Sequence, residues 1–365
     1  MLAVPDVIRA TTSTFCCTIT SAAAICCSGV CLLFVLAEQY RSILSIYILG
    51  ETDMHHFIKA SDIRPTTAFS AEASRYRRVS LSDRNCGAVH TGWGLCELDA
   101  KGHVNQHLQS FEKSFYVLEG NPVLILDNRA YRLAPGACGL IPVGMKQAWL
   151  GPDSGTSRWI DMNTPVPKGV NFADDTYFLG PPPQVSIDPL DIRDPASRHL
   201  FRMADDDIKV DALRMGLKKD APKVSASMAT ALLVYSGISL KMLVDARLDA
   251  ALHTMFMVEY EPGGNAHPHD HPLEEAYFIV DGEVEAWADD EKYLMKRGDF
   301  LWAGVGCTHA FYNRSNTTVR WLETQSPQPP ARHSYRFSRD WEYFAEQLKN
   351  RNFAGVPAQK RTIDE

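Results

Sequence analysis

Positive charge is scarce in this sequence relative to negative charge. Its 365 residues include 37 Lys and Arg against 44 Asp and Glu, which gives a formal net charge of −7. Nucleic-acid binding depends on a basic surface that neutralises phosphates, so the composition gives no reason to expect a nucleic-acid partner. The sequence also has no basic segment and no helix-turn-helix pattern, which argues against a transcriptional regulator. A hydrophobic content of 45% and a charged content of 22% are those of a soluble globular protein.

Paired cysteine spacings are lacking as well. The chain has nine cysteines, but those beyond the N-terminal segment follow no zinc-binding or redox spacing. We expect them to be isolated, buried thiols in a reducing compartment, and we predict a cytoplasmic protein. The N-terminal cysteines are Cys16, Cys17, Cys26, Cys27 and Cys31, and the others are Cys86, Cys96, Cys138 and Cys307.

The first 53 residues lack the composition of the rest. No charged residue occurs between Ala10 and Ala37, yet the positive region that normally opens a signal peptide is missing. Three interpretations stay open: a start codon assigned upstream of Met54, a membrane anchor or export signal, and a folded structural part. In each case residues 1–53 are expected to lie outside the core, and membrane contact is expected only if this segment is real.

Three histidines at alternate positions, His267, His269 and His271, precede two adjacent acidic residues. Alternate side chains of an extended strand point to the same face, so His269 and His271 can direct two imidazoles at one point. Glu275 opens an apolar run typical of a buried strand, and His309 follows a glycine-rich block. Three imidazoles and one carboxylate predict a site for one divalent transition metal, with positions left for substrate or water.

The spacing of these residues resembles the two motifs of the cupin family. The first motif is met in full, and the second is met except that Gly304 stands where proline is usual, which changes loop stiffness rather than a ligand. The resemblance implies a jelly-roll (double-stranded β-helix) barrel with metal ligands His269, His271, Glu275 and His309. The motif residues are Gly263, His269, His271, Glu275 and Gly282 in the first motif, and Gly298, Gly304, Gly306, His309 and Asn313 in the second.

The same landmarks recur earlier in the chain at a constant offset of 162 residues. His107 corresponds to His269, but Gln109, Lys113 and Gln147 stand at the other three ligand positions. A lysine ammonium repels a cation and offers no lone pair, so the first copy is predicted to be metal-free. Two roles stay open for it: a structural one, and the binding of an anionic ligand by Lys113 and His107.

This repeat predicts an all-β protein of two tandem cupin barrels, a bicupin, with a C-terminal helix. The predicted parts are an N-terminal barrel over 54–163, a proline-rich linker over 164–225, a metal-binding barrel over 226–337, and a helix and tail over 338–365. Prolines exclude the linker from a sheet interior, so we expect it to wrap the surface and lend an edge strand to a barrel.

The mouth of the second barrel is the expected substrate pocket. Strand parity places Tyr277, Ile279 and Phe311 inside it, with Trp287 and Trp302 as further candidates. A ligand pair of His267 and His269 is the alternative to the pair chosen above. The motif spacing instead leaves His267 in the pocket or behind a ligand. The candidates for catalysis are His267 and Tyr277, and His253 is a further polar candidate for the pocket.

The predicted ligand set suits Mn or Fe best and is compatible with Ni, Co and Zn. The two-barrel layout resembles the ureidoglycine aminohydrolases, manganese enzymes that release ammonia, but that family uses a Glu, His, His, Gln set. The ligands here resemble those of germin-like proteins and cupin dioxygenases. We therefore expect an O₂-dependent oxidoreductase acting on a small polar or aromatic metabolite, with a ureide hydrolase and a non-catalytic binding protein as alternatives. A homo-oligomer is compatible with the sequence.

Overall fold

The structure, a computed structural model, describes residues 54–169, 174–191, 194–208, 235–328 and 336–337. Within these ranges the chain forms β-strands and short 3₁₀ helices, and no α-helix. The strands of the first half are β1 His55–Ile58, β2 Thr66–Thr67, β3 Ala73–Ser80, β4 Gly92–Gln109, β5 Glu112–Glu119, β6 Val123–Leu126, β7 Arg129–Arg132, β8 Ala137–Ile141, β9 Gln147–Leu150, β10 Thr156–Thr164, β11 Thr176–Gly180, β12 Ile187–Asp188 and β13 Leu200–Arg202. Those of the second half are β14 Tyr235–Val244, β15 Thr254–Asp270, β16 Glu274–Asp281, β17 Glu283–Ala288, β18 Glu291–Lys296, β19 Phe300–Ala303, β20 His309–Tyr312, β21 Val319–Ser326 and β22 Arg336–Phe337. The 3₁₀ helices are Ala60–Asp62, Arg84–Cys86, Asp205–Ile208 and Ala246–Leu248.

Each barrel is built around one long strand. The first half of β4 pairs with β10 and its second half with β9 and β11. In the same way β15 pairs with β21 along its first half and with β20 along its second. A strand that passes from one part of a sheet to another curls the sheet on itself, which produces the jelly-roll barrel. The fold class predicted from the repeat is confirmed, whereas the predicted helix over 338–365 lies outside the described residues.

Strand parity divides the apolar residues between two kinds of core. On β16, Tyr277 and Ile279 pack in the core inside the second barrel, while Ala276 and Phe278 pack in a core shared by both barrels. A strand buried on both faces needs a nearly continuous apolar run, which explains why this segment does not alternate in sequence. Each barrel therefore has a core of its own, and a further core joins the two.

Glycine is required at the turn after β16 because of space and of backbone conformation. Gly282 has φ +78°, and a Cβ there would lie 2.6 Å from the carbonyl oxygen of Thr318. The equivalent Gly120 has φ +76° and equally little room. Both conditions exclude a side chain, which is the physical reason for glycine at this motif position.

The two barrels exchange edge strands. β1 precedes the first barrel in sequence but pairs with β19 of the second, from Ile58 opposite Phe300 to His55 opposite Ala303. In return β13, which precedes the second barrel, pairs with β8 of the first. Two further strands of the predicted linker, β11 and β12, also join the sheet of the first barrel. β1 thus belongs to the sheet of the second barrel, although it lies within the range predicted for the first.

Two buried glutamates also connect the barrels. The Glu274 carboxylate accepts hydrogen bonds from the backbone N–H groups of Val89, His90 and Thr91 at 2.9–3.1 Å. Its counterpart Glu112 accepts from the backbone N–H groups of residues 251 and 252 at 2.8 and 3.0 Å. Each buried carboxylate thereby satisfies backbone donors of the other barrel.

The four cysteines of the described ranges are free thiols, of which Cys96, Cys138 and Cys307 are buried and Cys86 is half-buried. Over the same ranges no helix has both the length and the apolar character needed to span a membrane. Residues 1–53, for which three interpretations were open, lie outside the described part.

Candidate metal centre

Four side chains converge at one end of the second barrel. His269 lies near the end of β15, His271 directly after it, Glu275 at the start of β16 and His309 at the start of β20. The ligand nitrogens of the three histidines lie within 4.8 Å of one another. All four side chains are buried, with relative exposures of 5% or less. The predicted ligand residues are thus brought together in space.

Backbone carbonyls determine which nitrogen of each imidazole faces the site. The Nδ1 atoms of His269, His271 and His309 lie 2.7, 3.0 and 3.0 Å from the carbonyl oxygens of residues 267, 273 and 307. A carbonyl oxygen only accepts, so each Nδ1 carries the proton and donates it. Each Nε2 is then left with its lone pair, which is the form of histidine that binds a metal.

The carboxylate of Glu275 completes the arrangement. Its Oε2 lies 2.8 Å from the Nε2 atom of His271 and 3.2 Å from that of His309. The hydroxyl of Tyr277 donates to the same oxygen, and the amide of Gln325 donates to the other. Both oxygens are therefore held in position by donors from the barrel wall.

The electrostatics of the site follow from burial and from these contacts. Burial alone would raise the pKa of Glu275, but the neighbouring His271 and His309 outweigh it and hold that pKa well below its usual value. Burial lowers the pKa of His269 well below its usual value, and the two other histidines add to the effect. Burial also acts to lower the pKa of His271, but Glu275 outweighs it and the net shift is upward.

The donor set fits a cation. Two imidazole lone pairs within about 3 Å of a carboxylate oxygen repel it unless a positive charge lies between them, and a proton or a metal ion supplies that charge. Neutral imidazoles with one carboxylate match the ligand preferences of Mn, Fe, Co, Ni and Zn. The four residues could therefore hold one transition-metal ion.

One acidic residue of the site was missed from the sequence. Glu323 on β21 is buried beside the core of the second barrel, and Trp321 Nε1 donates to its Oε2 at 2.9 Å. Burial and then the charge of Glu275 raise the pKa of Glu323 well above its usual value. The signal that could have revealed it is an acidic residue on an apolar strand, facing Tyr277 in the register with β16.

The remaining candidates are divided between the site and other places. Tyr277 packs against Phe311 at 4.6 Å and against His309 at 6.0 Å between ring centroids, so both aromatics adjoin the centre. Ile279 lies in the same core. His267 instead packs its ring edge-on against Tyr312, at 5.6 Å between centroids.

A β-bulge explains the position of His267. The register between β15 and β20 shifts between Ala266 and His269, so alternation does not carry across this point. The carbonyl of His267, rather than its ring, contributes to the centre by accepting from His269 Nδ1.

Three candidates for the pocket lie away from it. Trp302 Nε1 donates to Thr91 Oγ1 of the first barrel at 2.8 Å, so its ring is part of the contact between barrels. His253 lies at the same contact, with Nδ1 2.6 Å from Glu112 Oε1. The half-buried ring of Trp287 packs against Tyr312 under the ammonium of Lys292, which lies 3.9 Å from the ring centroid. These three candidates lie at other contacts because the facing of their side chains depends on turns and on residues distant in sequence.

The equivalent positions of the first barrel form a different network. Gln147 Nε2 donates to Gln109 Oε1 at 2.9 Å, and Gln109 Nε2 donates to Thr176. Burial and the nearby Lys113 lower the pKa of His107 to about 4. The two amides are thus hydrogen-bonded to each other. Lys113, which carries a positive charge, lies at the position that Glu275 has in the second barrel.

Comparisons with known proteins agree with this fold. A sequence model described as the cupin domain matches residues 256–324. No curated protein matches the chain at a significant level of sequence similarity. The cupin-domain match lies in the second of the two jelly-roll barrels described above.

Three solved structures of similar fold cover between 77% and 84% of this chain. Salicylate 1,2-dioxygenase from Pseudaminobacter salicylatoxidans has 12% identity and a TM-score of 0.59, with 80% of this chain and 93% of that chain covered. A glyoxylate-induced protein from Pseudomonas aeruginosa has 17% identity and a TM-score of 0.52, with 77% and 90% covered. A deletion mutant of oxalate decarboxylase from Bacillus subtilis has 12% identity and a TM-score of 0.50, with 84% and 87% covered. At these identities the likeness concerns the fold alone.

Proposed function

We propose that this chain is a metal-dependent cupin enzyme that oxidises a small polar or aromatic metabolite with O₂. One observation carries the proposal: three Nε2 lone pairs and the Glu275 carboxylate converge on one point inside the second barrel. Mn or Fe fits this ligand set best. His269, His271, Glu275 and His309 would hold such an ion, which would supply Lewis-acid and redox chemistry to a substrate and O₂.

The residues around the centre support the proposal by what each of them does. Tyr277 and Gln325 orient the Glu275 carboxylate by donating to its two oxygens. Tyr277 and Phe311 form an apolar wall that excludes water from one side. Glu323 in the same barrel has its pKa raised by burial and by the charge of Glu275, which favours the protonated form of its carboxyl group. Among the similar folds, a dioxygenase by name has the highest TM-score of the three structures described above.

The metal site is tested with matched histidine variants. We expect one metal ion per chain in the unchanged protein and none in the double variant His269→Ala/His271→Ala, measured by elemental analysis after removal of loosely bound ions. His267→Ala is the control, because its ring contacts Tyr312 and its carbonyl remains. Metal retained in the double variant, or lost in His267→Ala alone, would contradict the assignment.

The reaction class is tested by turnover with and without O₂. A panel of hydroxylated aromatic acids, 2-oxo acids and ureides is incubated with the metal-loaded protein while oxygen uptake and ammonia are measured. We expect turnover that consumes O₂ and stops under strict anaerobiosis. Full activity without O₂ together with ammonia release from a ureide would replace this proposal by the hydrolase alternative. Saturable binding without turnover would favour the non-catalytic one.

A further inference from the structure

A cavity of about 540 Å³ opens in the first barrel. Its volume lies within the range of about 300–1,000 Å³ typical of small-molecule pockets. The polar side chains of Gln109, Lys113 and Asn163 line it together with the aromatic rings of Phe69, Tyr76 and Phe111. It therefore offers both polar partners and apolar walls to a ligand, at the place where the first barrel has no metal ligands.

The cavity holds one buried positive charge in excess. Arg78 binds the Asp161 carboxylate at 2.7 and 3.2 Å and so neutralises it. Lys113 Nζ lies 3.7 Å from the same carboxylate, which is longer than a hydrogen bond. The Lys113 side chain is 9% exposed, and its ammonium has no acceptor within 3.5 Å among the described residues. Because Arg78 already neutralises Asp161, this long ion pair compensates the buried ammonium only in part, and an anionic ligand would complete the compensation.

A second polar group lies beside it. Asn163 faces Lys113 directly in the ladder between β5 and β10, and side chains opposite each other in a sheet start about 5 Å apart. The Oδ1 atom of Asn163 is buried and has no donor within the described part of the chain. Because rotation of the amide exchanges its oxygen and nitrogen, a hydroxyl group satisfies it in either orientation.

The other charged residues of the lining do not cancel this charge. Asp83 is half-buried, whereas Arg84 and Asp174 are exposed, so water screens all three. Burial lowers the pKa of Lys113, and the charge of Asp161 opposes that shift. His107, considered from the sequence as a second anion ligand, is not part of the cavity lining.

A comparison with the equivalent positions of the second barrel shows how the charge of this site differs between the two barrels. Lys113, Asp161 and Asn163 lie at the constant offset from Glu275, Glu323 and Gln325. Both barrels pair these residues in the same register, Lys113 with Asn163 and Glu275 with Gln325. Replacing the carboxylate by an ammonium reverses the charge that the site attracts. The first barrel thus keeps the layout of a binding site and prefers an anion to a cation.

We propose that the cavity of the first barrel binds a small 2-hydroxycarboxylate, with the carboxylate on Lys113 and the hydroxyl on the Asn163 amide. Lys113 and Asn163 are direct partners in the ladder, so a ligand that carries a carboxylate and a hydroxyl close together, as a 2-hydroxy acid does, can reach both side chains. The aromatic rings of the lining accept its apolar substituent. This site is separate from the metal centre and does not depend on the reaction proposed for it.

The first experiment varies the ligand. The full chain carrying His269→Ala/His271→Ala, which removes the second barrel as a metal-dependent binding site, is titrated calorimetrically with mandelate, phenylacetate and mandelamide. We expect one mandelate per chain. Mandelamide, which lacks the charge, should bind about tenfold to a hundredfold more weakly, and phenylacetate, which lacks the hydroxyl, about twofold to tenfold more weakly. The absence of saturable mandelate binding, or equal binding of mandelamide, would refute the site.

The second experiment varies the protein. Lys113→Met keeps most of the side-chain length and removes the charge, and Lys146→Met changes an exposed lysine of the same barrel. We expect mandelate affinity to fall at least about tenfold in the first variant and to stay unchanged in the second. Equal affinity in a folded Lys113→Met variant would overturn the proposal. If that variant does not fold, the ligand series decides the question, since it leaves Lys113 in place.

Discussion

Single residues determine the chemistry of the metal centre through their hydrogen bonds. Three backbone carbonyls fix the protonated nitrogen of His269, His271 and His309, so the opposite nitrogens face the centre with their lone pairs. The spacing of the histidines in the sequence predicted their convergence. It did not predict the tautomers, because those depend on carbonyls positioned by the surrounding loops.

Glu275→Gln should weaken metal binding. Glutamine keeps the shape and one oxygen ligand but removes the negative charge, so we expect metal affinity to fall by at least about tenfold. Competition with a chelator measures it. O₂-dependent turnover should fall further than the lost metal explains. Glu285→Gln is the control, since Glu285 accepts from Trp287 on the other side of the wall, and unchanged affinity in Glu275→Gln would contradict the prediction.

His107→Gln should flatten the dependence of stability on pH. The pKa of His107 in the folded protein, about 4, lies below the unfolded value of 6.5, so the unfolded state binds the proton more tightly. Its contribution to stability is therefore complete above pH 6.5 and is lost as the pH falls towards 4, by up to about 3 kcal/mol. Urea unfolding at pH 7 and pH 4.5 measures this. If the unchanged protein and His107→Gln lost the same free energy of unfolding between pH 7 and pH 4.5, His107 would not titrate in this way.

Among the elements of the fold, the contacts that join the barrels occur in reciprocal pairs. Glu274 and Glu112 each bind backbone donors that precede a long strand of the other barrel. Thr164 Oγ1 at the end of β10 lies 2.8 Å from Ser326 Oγ at the end of β21, so the two equivalent strand ends also meet each other. The repeat seen in the sequence is therefore also a reciprocal pattern of contacts in space.

Glu274→Gln should destabilise the protein by about 3 kcal/mol. The change replaces a buried charged acceptor of several hydrogen bonds by a neutral group with one acceptor oxygen. Glu283→Gln is the control, because that residue is half-buried on β17 with only a long ion pair of 3.6 Å to Lys296, and its effect should stay within about 0.5 kcal/mol. Unfolding by urea compares them. Similar midpoints for both variants would contradict the role of Glu274.

Local sequence patterns predicted the strands and turns better than they predicted which residues pack against one another. The alternation at His269 and His271, the glycine at 282 and the apolar run of β16 rest on local rules that a sequence displays. The bulge between Ala266 and His269 and the outward contact of Trp302 depend on neighbours distant in sequence. Glu323 was missed for the same reason, since its role follows from its register with Tyr277.

For the molecule as a whole, the two barrels form one structure rather than two joined by a linker. The exchanged strands β1 and β13 and the shared core make each barrel incomplete without segments outside its own repeat. The repeat in the sequence predicted two barrels. The linker was expected to lend an edge strand to a barrel, and β13 does so, but the pairing of β1 with the second barrel was not predicted because β1 lies outside the repeated motifs.

A chain that begins at Met54 should fold and bind metal like the full chain, because both barrels and β1 remain. A chain that begins at Ala60 is the matched control. It lacks β1 and leaves β19 unpaired along one edge, so we expect a lower melting temperature and aggregation. Metal content and melting temperature are measured for the chain beginning at Met54 and for the chain beginning at Ala60. Loss of metal in the chain beginning at Met54 would show that residues 1–53 contribute to the fold.

The pairing of β1 with β19 also determines an order of events on the ribosome. Ile58 is synthesised early, but its partner Phe300 emerges only after almost all of the first barrel, the linker and much of the second. At about 5–20 residues per second, β1 waits on the order of ten to fifty seconds without its sheet. The first barrel can fold during that time. The metal-binding barrel folds last, and its edge strand β1 is the strand that was synthesised first. Translation speed between these two segments therefore sets how long that strand stays open to wrong partners.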